Sequence, residues 1–106
     1  MDTAFQVRSN LEDGYQRGKP VRSEPYLAFI RRQASVKSGY GPCHACHTGP
    51  HGAGQEADDR LAIPLTWEEH GLFDADPKGY AERHMLDVPN LIEQLNELFV
   101  SNGGIY

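Results

Sequence analysis

Both cysteines of the chain and three of its five histidines lie between residues 43 and 51, in the run Cys43-His44-Ala45-Cys46-His47-Thr48-Gly49-Pro50-His51. Thiols and imidazoles are the side chains that bind transition metals and exchange protons near neutral pH. Their crowding into one short run points to metal or proton chemistry rather than to packing. Further along, His70 and Asp74 stand at i, i+4. On a helix that spacing puts both on one face, able to chelate one divalent ion.

Three chemistries suit this set. Cys43-x-x-Cys46-His47 spells the attachment motif of a c-type haem, with Met85 available as a distal ligand. The want of an export segment and the acidic, polar run behind the motif weigh against haem. Alternatively, Cys43 and Cys46 form one knuckle of a structural zinc site completed by His51 or His70, although no second cysteine pair follows. The third chemistry is metal-dependent phosphodiester hydrolysis. It needs a base for water, charge neutralisation on the phosphorane and a stabilised leaving oxygen, which one histidine and one metal ion supply together. In this reading His47 faces an ion held by His70 and Asp74.

The elements that must position these residues are short. Ser23-Glu24-Pro25 caps a helix predicted over 24–33, carrying Tyr26, Leu27, Phe29 and Ile30. Alternation in 34–37, turn residues at 38–41 and a return over 42–47 predict a β-hairpin. The glycine-rich run from His47 to Asp59 has no core pattern and reads as a long irregular loop. Leu61–Leu65 is a short buried segment, and Thr66-Trp67-Glu68-Glu69 is a capping box opening the helix of His70 and Asp74. Asp76-Pro77 opens a short helix through about Met85. Asp87-Val88-Pro89 opens the last helix, where Leu91, Ile92, Leu95, Leu98 and Phe99 recur at helical spacing until Gly103-Gly104.

A chain of 106 residues, 39% hydrophobic, supports one modest core. The expected organisation is a polar arm over 1–22 and a single α+β domain over 23–106. No stretch is apolar enough for a membrane span, and the opening residues lack the apolar core of a secretory signal, so a cytoplasmic protein is expected. The net charge of −5 argues against indiscriminate nucleic-acid binding. Yet residues 1–37 hold seven basic groups against four acids, and residues 38–106 three against eleven. Arg31, Arg32, Lys37 and Arg60 are candidates for holding a phosphate backbone, although Arg31 and Arg32 equally suit the C-terminal end of their helix. His51 reads as an exposed loop residue or a phosphate contact. His44 alternates away from His47 and reads as surface, and His84 as an ordinary helix residue.

The run from Tyr26 to Asp74, above all AFIRRQ, CHACHTGPHGAGQ, DDRLAIPLT and EEH, resembles prophage-encoded members of the HNH, or His-Me finger, nuclease superfamily. The resemblance covers about half the chain, and the C-terminal helix is similar to the tail of the same small phage-type proteins. It implies a ββα-metal core, with a β-hairpin, a long loop and a helix holding one divalent cation (Mg, Mn or Zn), plus one N-terminal and two C-terminal helices. It implies nicking or cleavage of DNA in a bacterial or phage-infected cell, in some members beside a recombination protein. Carried over by residue, it makes His47 the general base, Asp59 the residue that orients it through its backbone, and Cys46, His70 and Asp74 the metal set. The chain departs from the family in having no cysteine pair around the helix, and its Cys43/Cys46 pair lies at the histidine itself. A cysteine in the metal set favours a softer ion than magnesium. The alternative from another class is a non-catalytic adaptor for DNA or protein, stabilised by structural zinc on Cys43, Cys46 and histidines.

Overall fold

The computed structural model describes residues 20–49 and 57–106. Most of the expected polar arm, His51 and the centre of the long loop lie outside the described residues. In chain order the elements are α1 (Glu24–Arg31), β1 (His44–His47), a 3₁₀ turn (Asp59–Leu61), β2 (Ala62–Leu65), α2 (Trp67–Ala75), α3 (Pro77–Arg83) and α4 (Val88–Ser101). The result is a small α+β unit of four helices and a two-stranded antiparallel sheet among the described residues.

Helix starts follow the capping chemistry of the sequence. The Ser23 hydroxyl accepts the Tyr26 N–H at α1, and Thr66 and Glu69 close a reciprocal capping box at α2. Asp76 and Asp87 cap α3 and α4, each followed within two residues by proline. α1 stops at Arg31 rather than continuing to residue 33, and α3 stops at Arg83. Beyond α4, Gly103 takes a φ of +88° and donates to the Val100 carbonyl, the left-handed exit that glycine allows.

The sheet corrects one expectation. The strand that pairs with β1 is not 34–37 but the buried segment β2, with His44 opposite Leu65, Ala45 opposite Pro64, Cys46 opposite Ile63 and His47 opposite Ala62. Residues 34–41 fold instead into a turn gathered on Ser35, whose hydroxyl accepts the Lys37 and Ser38 N–H groups and donates to Glu69. That turn touches the outer edge of β2 through one bond, Val36 N–H to the Pro64 carbonyl at 3.1 Å. Pro64 has no N–H to return, so a ladder on that edge cannot propagate.

The sheet, whose strand β2 is buried throughout, separates two small cores. Ala62, with Ala45 beside it, faces α1 and α4, where Tyr26, Phe29, Ile30 and Phe99 pack. Tyr26 and Phe99 meet edge-on at 4.9 Å between ring centroids. Cys46, Ile63 and Leu65 face α2 and α3, against Phe73 and Tyr80. The period-two alternation of β1 thus sends Cys46 and His47 to opposite faces. No helix among the described residues is long and apolar enough to cross a membrane.

Candidate functional site

Two clusters flank the end of β1. On the face toward α2, one donor atom each of Cys46, His70 and Asp74 lie within 4.8 Å of one another. Cys46 enters from the strand and is fully buried, whereas His70 and Asp74 come from successive turns of α2. The His70 Nε2 stands 3.3 Å from an Asp74 carboxylate oxygen, and the Cys46 thiol points at the other oxygen at 3.9 Å. Burial, reinforced by the negative Asp74 carboxylate, pushes the Cys46 thiol up to about 12. A cation entering this set would displace that proton, because the thiolate is the metal-binding form. One thiolate, one imidazole and one carboxylate suit a borderline ion such as zinc better than magnesium, which prefers oxygen alone.

His44 joins this cluster. It shares the α2 face of β1 with Cys46, and its Nδ1 lies 3.3 Å from the Nδ1 of His70. Sequence reading correctly sends it away from His47 but misses this contact. Its only available signal was the i, i+2 spacing from Cys46, which places both on one face of a strand.

Toward α1, His47 meets Asp59 rather than the metal set. Its Nε2 lies 2.8 Å from Asp59 Oδ1. The other Asp59 oxygen accepts the Ser23 N–H at 2.6 Å, and the Asp59 N–H donates to the Val21 carbonyl at 2.8 Å. The contact to His47 therefore runs through the carboxylate of Asp59, where the resemblance implies its backbone. The turn carrying Asp59 is held from α4 by Asn96, which donates to the Arg60 carbonyl. It is also tied to the strand end through Thr48, which bonds the Leu61 carbonyl by both its N–H and its hydroxyl.

The remaining candidates are placed as follows. Cys43 is a buried free thiol donating to the Tyr40 carbonyl, and the potential metal set found among the described residues does not include it. Arg60 is engaged with the buried Asp58 through two of its guanidinium nitrogens, at 3.1 and 2.9 Å. Arg31 pairs with Glu24 at 2.8 Å, and Arg32 and Lys37 are exposed. Beside the metal set, His44, Trp67, Glu68, His70, Gly71, Leu72 and Asp74 line an open groove of about 640 Å³. Comparison of the chain with protein-family models, with curated proteins and with solved structures finds no match.

Proposed function

We propose that this chain is a metal-dependent DNA endonuclease of phage or prophage type, its β1–β2–α2 unit serving as a ββα-metal core of the HNH kind. The observation that carries the reading is the convergence of Cys46, His70 and Asp74 within 4.8 Å; the His47–Asp59 pair lies on the other face of the same strand. Cys46 and His47 are consecutive residues at the end of β1, so in this reading the phosphodiester would lie across the strand end, with the cation on one face and the base on the other.

With the Asp59 carboxylate accepting a hydrogen bond from His47 Nε2–H, Nδ1 would be the basic nitrogen of the neutral ring. Nδ1 takes the proton of the attacking water as its oxygen bonds phosphorus. The bond from phosphorus to the leaving oxygen breaks, and that oxygen is protonated from solvent. Cys46, His70 and Asp74 would hold a divalent cation, which supplies charge neutralisation at the phosphate and leaving oxygen. Asp59, fixed by Ser23 and Val21, holds the imidazole in one tautomer and orientation.

The test is nicking of supercoiled plasmid in Zn²⁺, Mn²⁺ and Mg²⁺, with His47→Ala and a chelator in parallel. Metal-dependent nicking lost in the variant, with its fold and metal content retained, supports the proposal. Stoichiometric zinc without cleavage in any metal overturns it and leaves the zinc-stabilised adaptor, for which the buried thiol in the ligand set is the favouring observation.

A further inference from the structure

We propose that the groove beside Cys46, His70 and Asp74 seats an unpaired nucleotide with its base stacked on Trp67, which makes DNA with a single-stranded segment the substrate class. This rests on the nuclease reading above and extends it from the metal to what lies next to it.

Trp67 is the only tryptophan of the chain, and its side chain is 71% exposed at the start of α2. The fold makes little use of it there. The helix start is secured by the capping box of Thr66 and Glu69, and neither core cluster includes Trp67. Trp67, His70, Gly71 and Asp74 follow one another at i, i+3, i+4 and i+7, so the indole and two metal ligands share one helical stripe. Gly71 stands in that stripe with nothing within 4 Å of where a Cβ would be. No side chain therefore rises between the indole and the ligands.

Charge selects the occupant. Among the described residues, the ionisable ones lining the groove are Glu68, Asp74, His44 and His70, with neither lysine nor arginine. A duplex, whose affinity is built on many lysine and arginine contacts to phosphate, finds no such contacts among these described lining residues. A nucleotide needs less: one phosphate at a cation held by the ligand set, and one flat uncharged ring against an indole. Along the helix axis Trp67 lies about 4.5 Å from His70 and about 10.5 Å from Asp74, a span that brackets the reach from a base to its own phosphate. Proteins hold single strands by joining positive charge along the backbone to sequence-tolerant stacking on aromatic side chains; here the bound cation would supply the charge and Trp67 the stacking.

The single tryptophan makes the test direct. Zinc-loaded protein is titrated with a short oligothymidylate and with a duplex of equal length, following tryptophan emission and, separately, fluorescence anisotropy of labelled DNA. The oligothymidylate should quench the emission and bind more tightly than the duplex. Trp67→Ala should weaken its binding by about tenfold with zinc content unchanged, and Trp67→Phe should recover most of the loss. Equal affinity of Trp67→Ala for the oligothymidylate overturns the proposal. So does preference for duplex, or emission that follows protein concentration instead of DNA, which marks the face as a contact between copies. Quenching without plasmid nicking would remove the nuclease and keep the groove; nicking without quenching would do the reverse.

Discussion

His44 and His70 meet across β1 and α2 with their Nδ1 atoms 3.3 Å apart and their rings nearly perpendicular, at 87°. Only one of the two nitrogens can hold the shared proton. If His70 donates it, the lone pair of His70 lies on Nε2, the atom that faces Asp74. His44 is then the outer partner that fixes the tautomer of a metal ligand, a role usually filled by a carboxylate or carbonyl. His44→Ala should lower zinc affinity about 10- to 100-fold in competition with a chromophoric chelator, without moving the melting temperature of the metal-free protein. His44→Asn, which keeps an acceptor, should recover part of the loss. Unchanged affinity in His44→Ala would make the ring contact incidental.

The two cysteines should separate cleanly. Cys46 is in the potential metal set, while Cys43 donates to the Tyr40 carbonyl. Cobalt-loaded protein should show a thiolate-to-metal charge-transfer band in the near ultraviolet. Cys46→Ser should abolish that band, and Cys43→Ser should keep it. Loss of the band in both would restore the two-cysteine knuckle as the metal site.

Asp59 carries structural weight beyond its contact with His47. Its carboxylate accepts the N–H of the buried Ser23, the residue that caps α1. Removing an acceptor from a buried donor costs roughly 1–3 kcal/mol, and Asp59→Ala strands two donors. We expect urea midpoints to report a loss of about 2–3 kcal/mol for Asp59→Ala and a smaller one, about 1 kcal/mol, for His47→Ala, which takes one partner from the buried Asp59 carboxylate. A comparable loss in both variants would show that the pair, rather than the Ser23 anchor, secures this corner.

Acid should unfold the protein through two identifiable carboxylates. Burial acts to raise Asp58, but its bonds to Arg60 and its backbone partners outweigh this and hold it below the ordinary value of 3.8. Burial likewise acts to raise Glu69, and hydrogen bonds from Ser35, Ser38 and Thr66 hold it below 4.5. Both groups thus bind protons more weakly in the native than in the unfolded chain. The stability they supply is complete above those ordinary values and is lost as pH falls through the lower native ones. Denaturation curves should show stability dropping from near pH 4.5 downward, with a shallower slope in Glu69→Gln. An unchanged slope would remove Glu69 from the acid response.

The helix caps were legible because capping is local: each needs a side chain and a backbone N–H two or three residues away, and Ser23, Thr66, Asp76 and Asp87 all lie that close to their partners. The i, i+4 pair of His70 and Asp74 was legible for the same reason. The partner of β1 was not. Residues 34–37 alternate like a strand and lie nearer in sequence, yet the fully buried 62–65 segment takes the place. Local alternation does not reveal that Pro64 leaves the other edge of β2 without a donor.

By itself, the sequence determined which residues can bind metal or move protons, where helices begin, and that one small α+β unit results, since all of these follow from side-chain chemistry and short-range spacing. The resemblance implied part of their grouping, the metal set and the His47–Asp59 pair, but tertiary structure alone supplied the contacts themselves. It placed Cys46 with His70 and Asp74, left Cys43 on a carbonyl, drew His44 onto His70 and gave His47 to Asp59. Cys43 apart, whose carbonyl partner Tyr40 is three residues away, these pairings join residues 12 to 28 positions apart, brought together when β1 and β2 zip and α2 packs back on them. A strand's two faces look in opposite directions, so consecutive Cys46 and His47 could be assigned to different neighbours only once the helices covering each face were in place.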